Sequence, residues 1–173
     1  MTQLVWRSPG EEATIRFGVM LGRSLTGPAW IGLCGPLGAG KTRLAAGVAR
    51  GLGFTGRVRS PSFVLEHRYQ GLRPILHLDL YRLEKDDEDL RASWEEEIDA
   101  VVLVEWAERV AVPPRGGLSV RLVPDGEAGR LILLNWEAGT SPVGHLRLEA
   151  LREGTADPEA ANPGTGGRSG AGA

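Results

Sequence analysis

The eight residues Gly35-Pro-Leu-Gly-Ala-Gly-Lys-Thr42 constrain this chain more than any other stretch. They match the pattern G-x-x-x-x-G-K-[ST], and each residue type has a physical reason to stand where it does. Gly35, Gly38 and Gly40 reach backbone conformations closed to other residues, so the loop can curl until its N–H groups converge on an anion. The segment follows the short apolar run Trp30 to Cys34 and precedes a stretch in which Leu44, Val48 and Leu52 recur every fourth residue. That order reads as strand, loop, helix, and the start of a helix favours negative charge. Lys41 can extend to β- and γ-phosphates, and the Thr42 hydroxyl can ligate Mg²⁺. Pro36 has no N–H to give and must occupy a position that does not contact phosphate. Lysine itself is scarce, since Lys41 and Lys85 are the only two among twenty basic residues. A compact ammonium fits inside a backbone cradle where a planar guanidinium would not. The expected ligand of the loop is a nucleoside triphosphate.

Around the loop the pattern alternates strand and helix. Gln3 to Trp6 reads as a strand, and Ser8-Pro9-Gly10-Glu11 as a capping box with Ser8 at the N-cap. Ala13, Phe17, Leu21 and Leu25 then form one apolar stripe, ended by Gly27-Pro28. Gly53 stops the helix that follows the loop. An extended stretch is expected over Ser60 to Tyr69, and strands over Pro74 to Leu80 and Ala100 to Val104. Between these last two lies Glu84 to Asp99, with nine acids against Lys85 and Arg91. It reads as an acidic helix whose Leu90, Trp94 and Ile98 face the core, with the charges either solvated or docking a basic partner. After Pro113-Pro114, Leu118, Val120 and Leu122 alternate with polar residues, and Leu131 to Trp136 returns beyond the Asp125-Gly126 turn, as in an antiparallel hairpin. The expected fold is α/β, P-loop NTPase-like: a mostly parallel central sheet flanked by helices, with an antiparallel C-terminal hairpin. Residues 1–150 make one domain, and 151–173 a disordered tail rich in Gly, Ala and Pro.

Two expected strands end in a carboxylate, Ile75-Leu-His-Leu-Asp79 and Val101-Val-Leu-Val-Glu105. In an open α/β sheet the carboxyl ends of strands face the ligand crevice. Asp79 and Glu105 are both candidates for the metal beside Thr42, and one of them for orienting an attacking water. Either could instead cap a following turn. Ser62, in Ser60-Pro61-Ser62-Phe63, stands where P-loop hydrolases often carry a hydroxyl that senses the γ-phosphate.

Composition excludes several alternatives. A net charge of −2 argues against binding driven by a basic surface. One cysteine and three scattered histidines make neither a disulfide nor a zinc site of usual spacing, and Cys34 is expected to be a buried, inert thiol. No apolar run approaches the roughly 20 residues of a membrane span, and no signal-peptide layout opens the chain, so a cytoplasmic location without membrane contact is expected.

The combination resembles the bacterial TsaE family, the ATPase of tRNA threonylcarbamoyladenosine biosynthesis. The resemblance rests on Gly35 to Thr42, Val58-Arg-Ser-Pro-Ser-Phe63, His77-Leu-Asp-Leu-Tyr-Arg-Leu83 and Leu103-Val-Glu-Trp106, in that order, across roughly residues 8–137. It implies an ATP- and Mg²⁺-dependent protein with weak, partner-dependent ATPase activity. Its expected partner is a TsaB–TsaD complex that modifies adenosine 37 of tRNAs reading ANN codons, with tRNA met only through that complex. It further implies nucleotide contacts along Gly35, Gly38, Ala39, Gly40, Lys41, Thr42 and Arg43, with Glu11 near the base. Thr42 and Glu105 would bind the metal, Asp79 would act near the metal or the water, and Ser62 stands where relatives usually have threonine. Trp106 is either beside the site, against a partner, or in the core. Many relatives carry glycine where this chain has Arg91-Ala-Ser93, which affects the local turn and not the nucleotide chemistry. A small-molecule kinase on the same scaffold and a non-hydrolysing, nucleotide-ordered scaffold are the competing readings.

Overall fold

The computed structural model describes residues 2–83, 96–110 and 117–136. Seven strands form one sheet in the order β1-β7-β6-β2-β5-β4-β3. The strands are β1 (Thr2–Ser8), β2 (Ala29–Cys34), β3 (Glu66–Gln70), β4 (Pro74–Asp79), β5 (Val101–Glu105), β6 (Leu118–Asp125) and β7 (Gly129–Trp136). The helices are α1 (Glu11–Ser24) and α2 (Lys41–Gly51). The inner strands β6, β2, β5 and β4 run parallel, and the antiparallel partners β7 and β3 flank them. The architecture is the expected one, a parallel core with the C-terminal hairpin β6–β7 joined to it.

Burial explains the composition of the inner strands. β5 reads Val-Val-Leu-Val-Glu and is buried at every position, because both faces of the sheet are covered there. One face packs Ile31, Leu33, Ile75, Val101 and Leu103 against Phe17, Leu21, Leu44 and Val48 of the two helices. The other collects Trp30, Leu76, Leu78, Val102 and Val104 with Leu80, Ala107 and Val110. Along β6, Leu118, Val120 and Leu122 are buried while Arg121 and Val123 are exposed, the alternation expected of a strand covered on one side.

Helices α1 and α2 lie against each other on the same face of the sheet and meet through glycine. Gly18 and Gly22 of α1 face Gly47 and Gly51 of α2, and a Cβ added at Gly18 would lie 2.8 Å from the Gly47 Cα. The end of α2 is a Schellman closure: Gly53, at φ 86°, donates to Arg50 O at 2.9 Å, and Phe54 donates to Ala49 O at 3.0 Å.

Four local expectations are corrected. Ser8 does not cap α1: Gly10 is the N-cap, and Ser8 is the last residue of β1, paired with Arg130 of β7. The ladder holds the Ser8 backbone in the sheet, and its hydroxyl instead donates to Gly10 O and meets Thr14 Oγ1, both at 2.8 Å. β1 therefore runs longer than Gln3 to Trp6. The stretch Ser60 to Tyr69 is extended only from Glu66; Val64 and Leu65 both donate to Pro61 O, which folds the first half into turns. Finally, residues 96–100 are irregular and Ile98 is 78% exposed, so it does not face the core. The rest of the expected acidic helix, with Leu90 and Trp94, and the expected tail at 151–173 lie outside the described residues.

Candidate functional site

The loop between β2 and α2 opens a cavity of about 650 Å³, and the carboxyl ends of β4 and β5 form its floor. Gly35, Gly38 and Gly40 have φ of 136°, 78° and 103°, in the left-handed region that favours glycine. Leu44 N–H makes the first helical bond, to Gly40 O at 2.9 Å. The amides of Lys41, Thr42 and Arg43 therefore precede the helical ladder and are suited to an anion.

Gly38, Gly40, Lys41, Thr42 and Arg43 line the cavity. Gly35 and Ala39 stand behind it. Gly35 donates to Glu108 Oε1 at 3.3 Å, while Ala39 donates to Pro36 O at 3.2 Å and buries its methyl in the core. Pro36 serves the loop as a double acceptor, since its carbonyl also takes Lys41 Nζ at 2.9 Å. Nζ donates as well to Gly35 O at 2.7 Å and lies 3.7 Å from the centre of the Trp106 ring. Burial lowers the Lys41 pKa below its ordinary value, and the carboxylates of Glu105, Glu108 and Asp79 oppose that shift. Trp106 is thus at the site, and it holds a strained αL backbone (φ 61°) directly after Glu105.

The two strand-end acids are register partners, Asp79 opposite Glu105, and both are 2% exposed. Their partners differ. Glu105 Oε2 accepts from Thr42 Oγ1 at 3.0 Å, and Oε1 lies 3.0 Å from His77 Nε2. Asp79 Oδ2 accepts from Ser60 and Ser62 hydroxyls at 2.6 and 2.7 Å, while Oδ1 accepts the Tyr81 N–H at 2.9 Å. The structure therefore brings Thr42 to Glu105 and Ser62 to Asp79. A hydroxyl and a carboxylate at the head of a phosphate-type loop are hard oxygen donors, and they fit a Mg²⁺ that takes its remaining ligands from phosphate and water. Among the described residues no group of three His, Cys, Asp or Glu side chains forms a separate metal site.

Glu11, on the first turn of α1, lines the cavity and pairs with Arg43 Nε at 3.1 Å. Cys34 lies just before the loop, buried, with its thiol pushed up to about 11 chiefly by burial and then by the charge of Glu108. It is an inert thiol, as expected.

Several cavity residues lie outside the expected set of site residues. Arg130, near the start of β7, packs its guanidinium against the Gly40 backbone, where a Cβ on Gly40 would collide with it. Arg57, Arg59 and Arg82 also line the cavity with Phe63, whose ring meets the Arg82 guanidinium at 4.3 Å. Arg59 and Phe63 fall within Val58 to Phe63 and Arg82 within His77 to Leu83, whereas Arg57 and Arg130 lie outside the motifs.

A glycine loop between a buried parallel strand and a helix, with acids at the ends of the neighbouring strands, defines a P-loop-like α/β protein. The structure is similar to the crystal structure of Bacillus subtilis YdiB, with a TM-score of 0.68, 28% identity, and coverage of 90% of this chain and 97% of that one. The family model "Threonylcarbamoyl adenosine biosynthesis protein TsaE" matches residues 8–132. This chain belongs to the TsaE family. It is 40% identical over 126 residues to the Nostoc "tRNA threonylcarbamoyladenosine biosynthesis protein TsaE", covering 69% of this chain and 78% of that protein. It is 39% identical over 108 residues to the protein of the same name from Bacillus subtilis, covering 62% and 68%. Among the described residues no helix is long and apolar enough to cross a membrane.

Proposed function

We propose that the protein binds ATP with Mg²⁺ and hydrolyses it slowly alone, and that its turnover is raised by a TsaB–TsaD complex during threonylcarbamoylation of adenosine 37 in tRNAs reading ANN codons. It meets tRNA only through that complex and works in the cytoplasm. The observation that carries the nucleotide reading is the pairing of Thr42 with Glu105 at 3.0 Å, at the mouth of a loop whose amides and buried lysine face one cavity. The names and likeness of the relatives supply the tRNA pathway.

In this reading Lys41 leaves the carbonyls of Gly35 and Pro36 for phosphate oxygens, while Gly38, Gly40 and the first amides of α2 hold the phosphate chain. Thr42 and Glu105 hold Mg²⁺, which supplies charge neutralisation at the phosphate oxygens when bound. Asp79 keeps the Ser60 and Ser62 hydroxyls together at the cavity floor, and this cluster orients the attacking water. Glu11 and Arg43 border the nucleoside end.

The test is ATP hydrolysis at saturating Mg²⁺ and ATP, with and without purified TsaB–TsaD. Low turnover alone and clear stimulation by the complex are expected, and absence of stimulation rejects the partner reading. Glu105→Ala should abolish metal-dependent hydrolysis more than nucleotide docking; hydrolysis equal to the parent rejects its role. Phosphoryl transfer to a nucleoside or small metabolite would replace this reading by a kinase, and no single-turnover hydrolysis would replace it by a scaffold.

A further inference from the structure

Behind the carboxylate of Glu105 stands a histidine with no exposure to solvent. His77 lies in β4 between Leu76 and Leu78 and projects to the same face as Ile75 and Asp79, where Val101 and Leu103 of β5 are aliphatic. An aliphatic side chain would fill such a position without burying polar atoms, so the imidazole needs a polar reason. Among the described residues its hydrogen-bond partner is Glu105, at 3.0 Å from Nε2, and Nδ1 has none. A carboxylate only accepts, so Nε2 donates. With Thr42 Oγ1 on Oε2 and His77 Nε2 on Oε1, both oxygens of Glu105 are fixed from the protein side.

We propose that His77 is a positioning residue that sets the orientation of the Glu105 carboxylate toward the divalent cation; this rests on the assignment of Thr42 and Glu105 to Mg²⁺. His77 touches neither phosphate nor metal. Loss of its donor frees the carboxylate to turn, so cation affinity falls while the phosphate cradle of loop amides and Lys41 is untouched.

The experiment compares His77→Gln with His77→Asn in the full chain. The two carry the same amide, but only glutamine reaches the place of Nε2. Binding of a fluorescent ATP analogue is titrated in EDTA and then against Mg²⁺, with thermal melting as a folding control. His77→Asn is expected to raise the half-saturating Mg²⁺ concentration about tenfold, the low end for loss of a ligand's supporting hydrogen bond. His77→Gln should stay within about threefold of the parent, and both should keep the EDTA affinity within about twofold. Equal Mg²⁺ dependence in the two variants, or a loss already present in EDTA, overturns the proposal in favour of a packing role. Nitrogen-15 NMR of the parent's three histidines gives a check that needs no variant. A protonated Nε2 on His77 that shifts when Mg²⁺ joins bound nucleotide is expected, and a proton on Nδ1 alone overturns the proposal. Glu105→Gln in the same titration separates the failures. If it leaves Mg²⁺ dependence unchanged, the metal assignment itself falls; if it shifts Mg²⁺ dependence and His77→Asn does not, only the role of His77 falls.

Discussion

Gly18→Ala tests whether the seam between α1 and α2 sets the geometry of the site. The new Cβ would lie 2.5 Å from Leu44 O, 2.8 Å from the Gly47 Cα and 3.0 Å from Val48 N. All three are backbone atoms of α2, so no side chain can swing away. Comfortable contact needs about 3.5 Å, which requires the helices to part by roughly 1 Å. Two effects oppose each other. Alanine gains about 1 kcal/mol over glycine in a helix interior. Overpacking against rigid neighbours costs about 1–3 kcal/mol and falls at the upper end here. The net loss is therefore about 1–2 kcal/mol, which for a chain of this size lowers Tm by about 3–6 °C. Because α1 carries Glu11 and α2 carries Arg43, the same parting stretches their 3.1 Å ion pair at the cavity edge and weakens nucleotide binding. Thermal melting with and without ATP measures both. Gly27→Ala, with nothing within 4 Å of its new Cβ, is the control and should melt with the parent. A Gly18→Ala protein that melts at or above the parent temperature would refute the reasoning, because helix propensity would then outweigh the contact.

Other substitutions address the cavity directly. Lys41→Ala removes a buried ammonium from the phosphate cradle; a charged hydrogen bond is worth about 1.5–3 kcal/mol, so nucleotide Kd should rise roughly 10- to 100-fold by calorimetry. Burial depresses the Lys41 pKa, which gives two pH effects of opposite sign. The unfolded chain holds this proton more tightly than the folded one, so the lysine's unfavourable contribution to stability is fully present below its folded pKa. It fades as pH rises through the window between the folded and the ordinary, higher, value. Nucleotide affinity instead falls as pH rises through that window, because the charged form binds phosphate. Lys41→Met should remove both trends relative to the parent, in melting and binding series taken from neutral pH up to the ordinary lysine value. Arg130→Ala, which clears the guanidinium from Gly40, should weaken ATP binding about tenfold by the same measure of a charged contact and leave Tm within about 2 °C.

Much of the scaffold was legible because it is written in local patterns. The strand, loop and helix around Gly35 to Thr42, the continuously apolar β5 and the alternating β6 each follow from side-chain period and burial. The positions of Asp79 and Glu105 at strand ends were legible for the same reason. Their being register partners was not, since register comes from pairing between strands distant in sequence. Ser8 shows the failure in reverse: its local pattern matched a cap, and the ladder to Arg130 overrode it. Arg130 reaches the loop only because β7 lies between β1 and β6, which no local window contains. The paired glycines 18/22 and 47/51 did carry a signal, four residues apart inside two helices where glycine is unfavourable, and it marks the close approach of those helices.

The charge pattern of the cavity ties these placements to the proposed ligand. Among the described residues, six cationic side chains line it, Lys41 and arginines 43, 57, 59, 82 and 130, against three acids, Glu11, Asp79 and Glu105. Each acid already has partners. Glu11 pairs with Arg43, Asp79 accepts from two serines and the Tyr81 amide, and Glu105 is bonded to Thr42 and His77. Six cations against three acids leave the described lining of the cavity with an excess of positive charge inside a chain that is negative overall. That excess suits a triphosphate, whose negative charge exceeds what one divalent cation neutralises. The two floor acids also divide the cavity: Glu105 accepts from Thr42 under the loop, and Asp79 accepts from the Ser60 and Ser62 hydroxyls. In the proposed function the metal therefore belongs with Thr42 and Glu105, and the attacking water with Asp79 and the two serines.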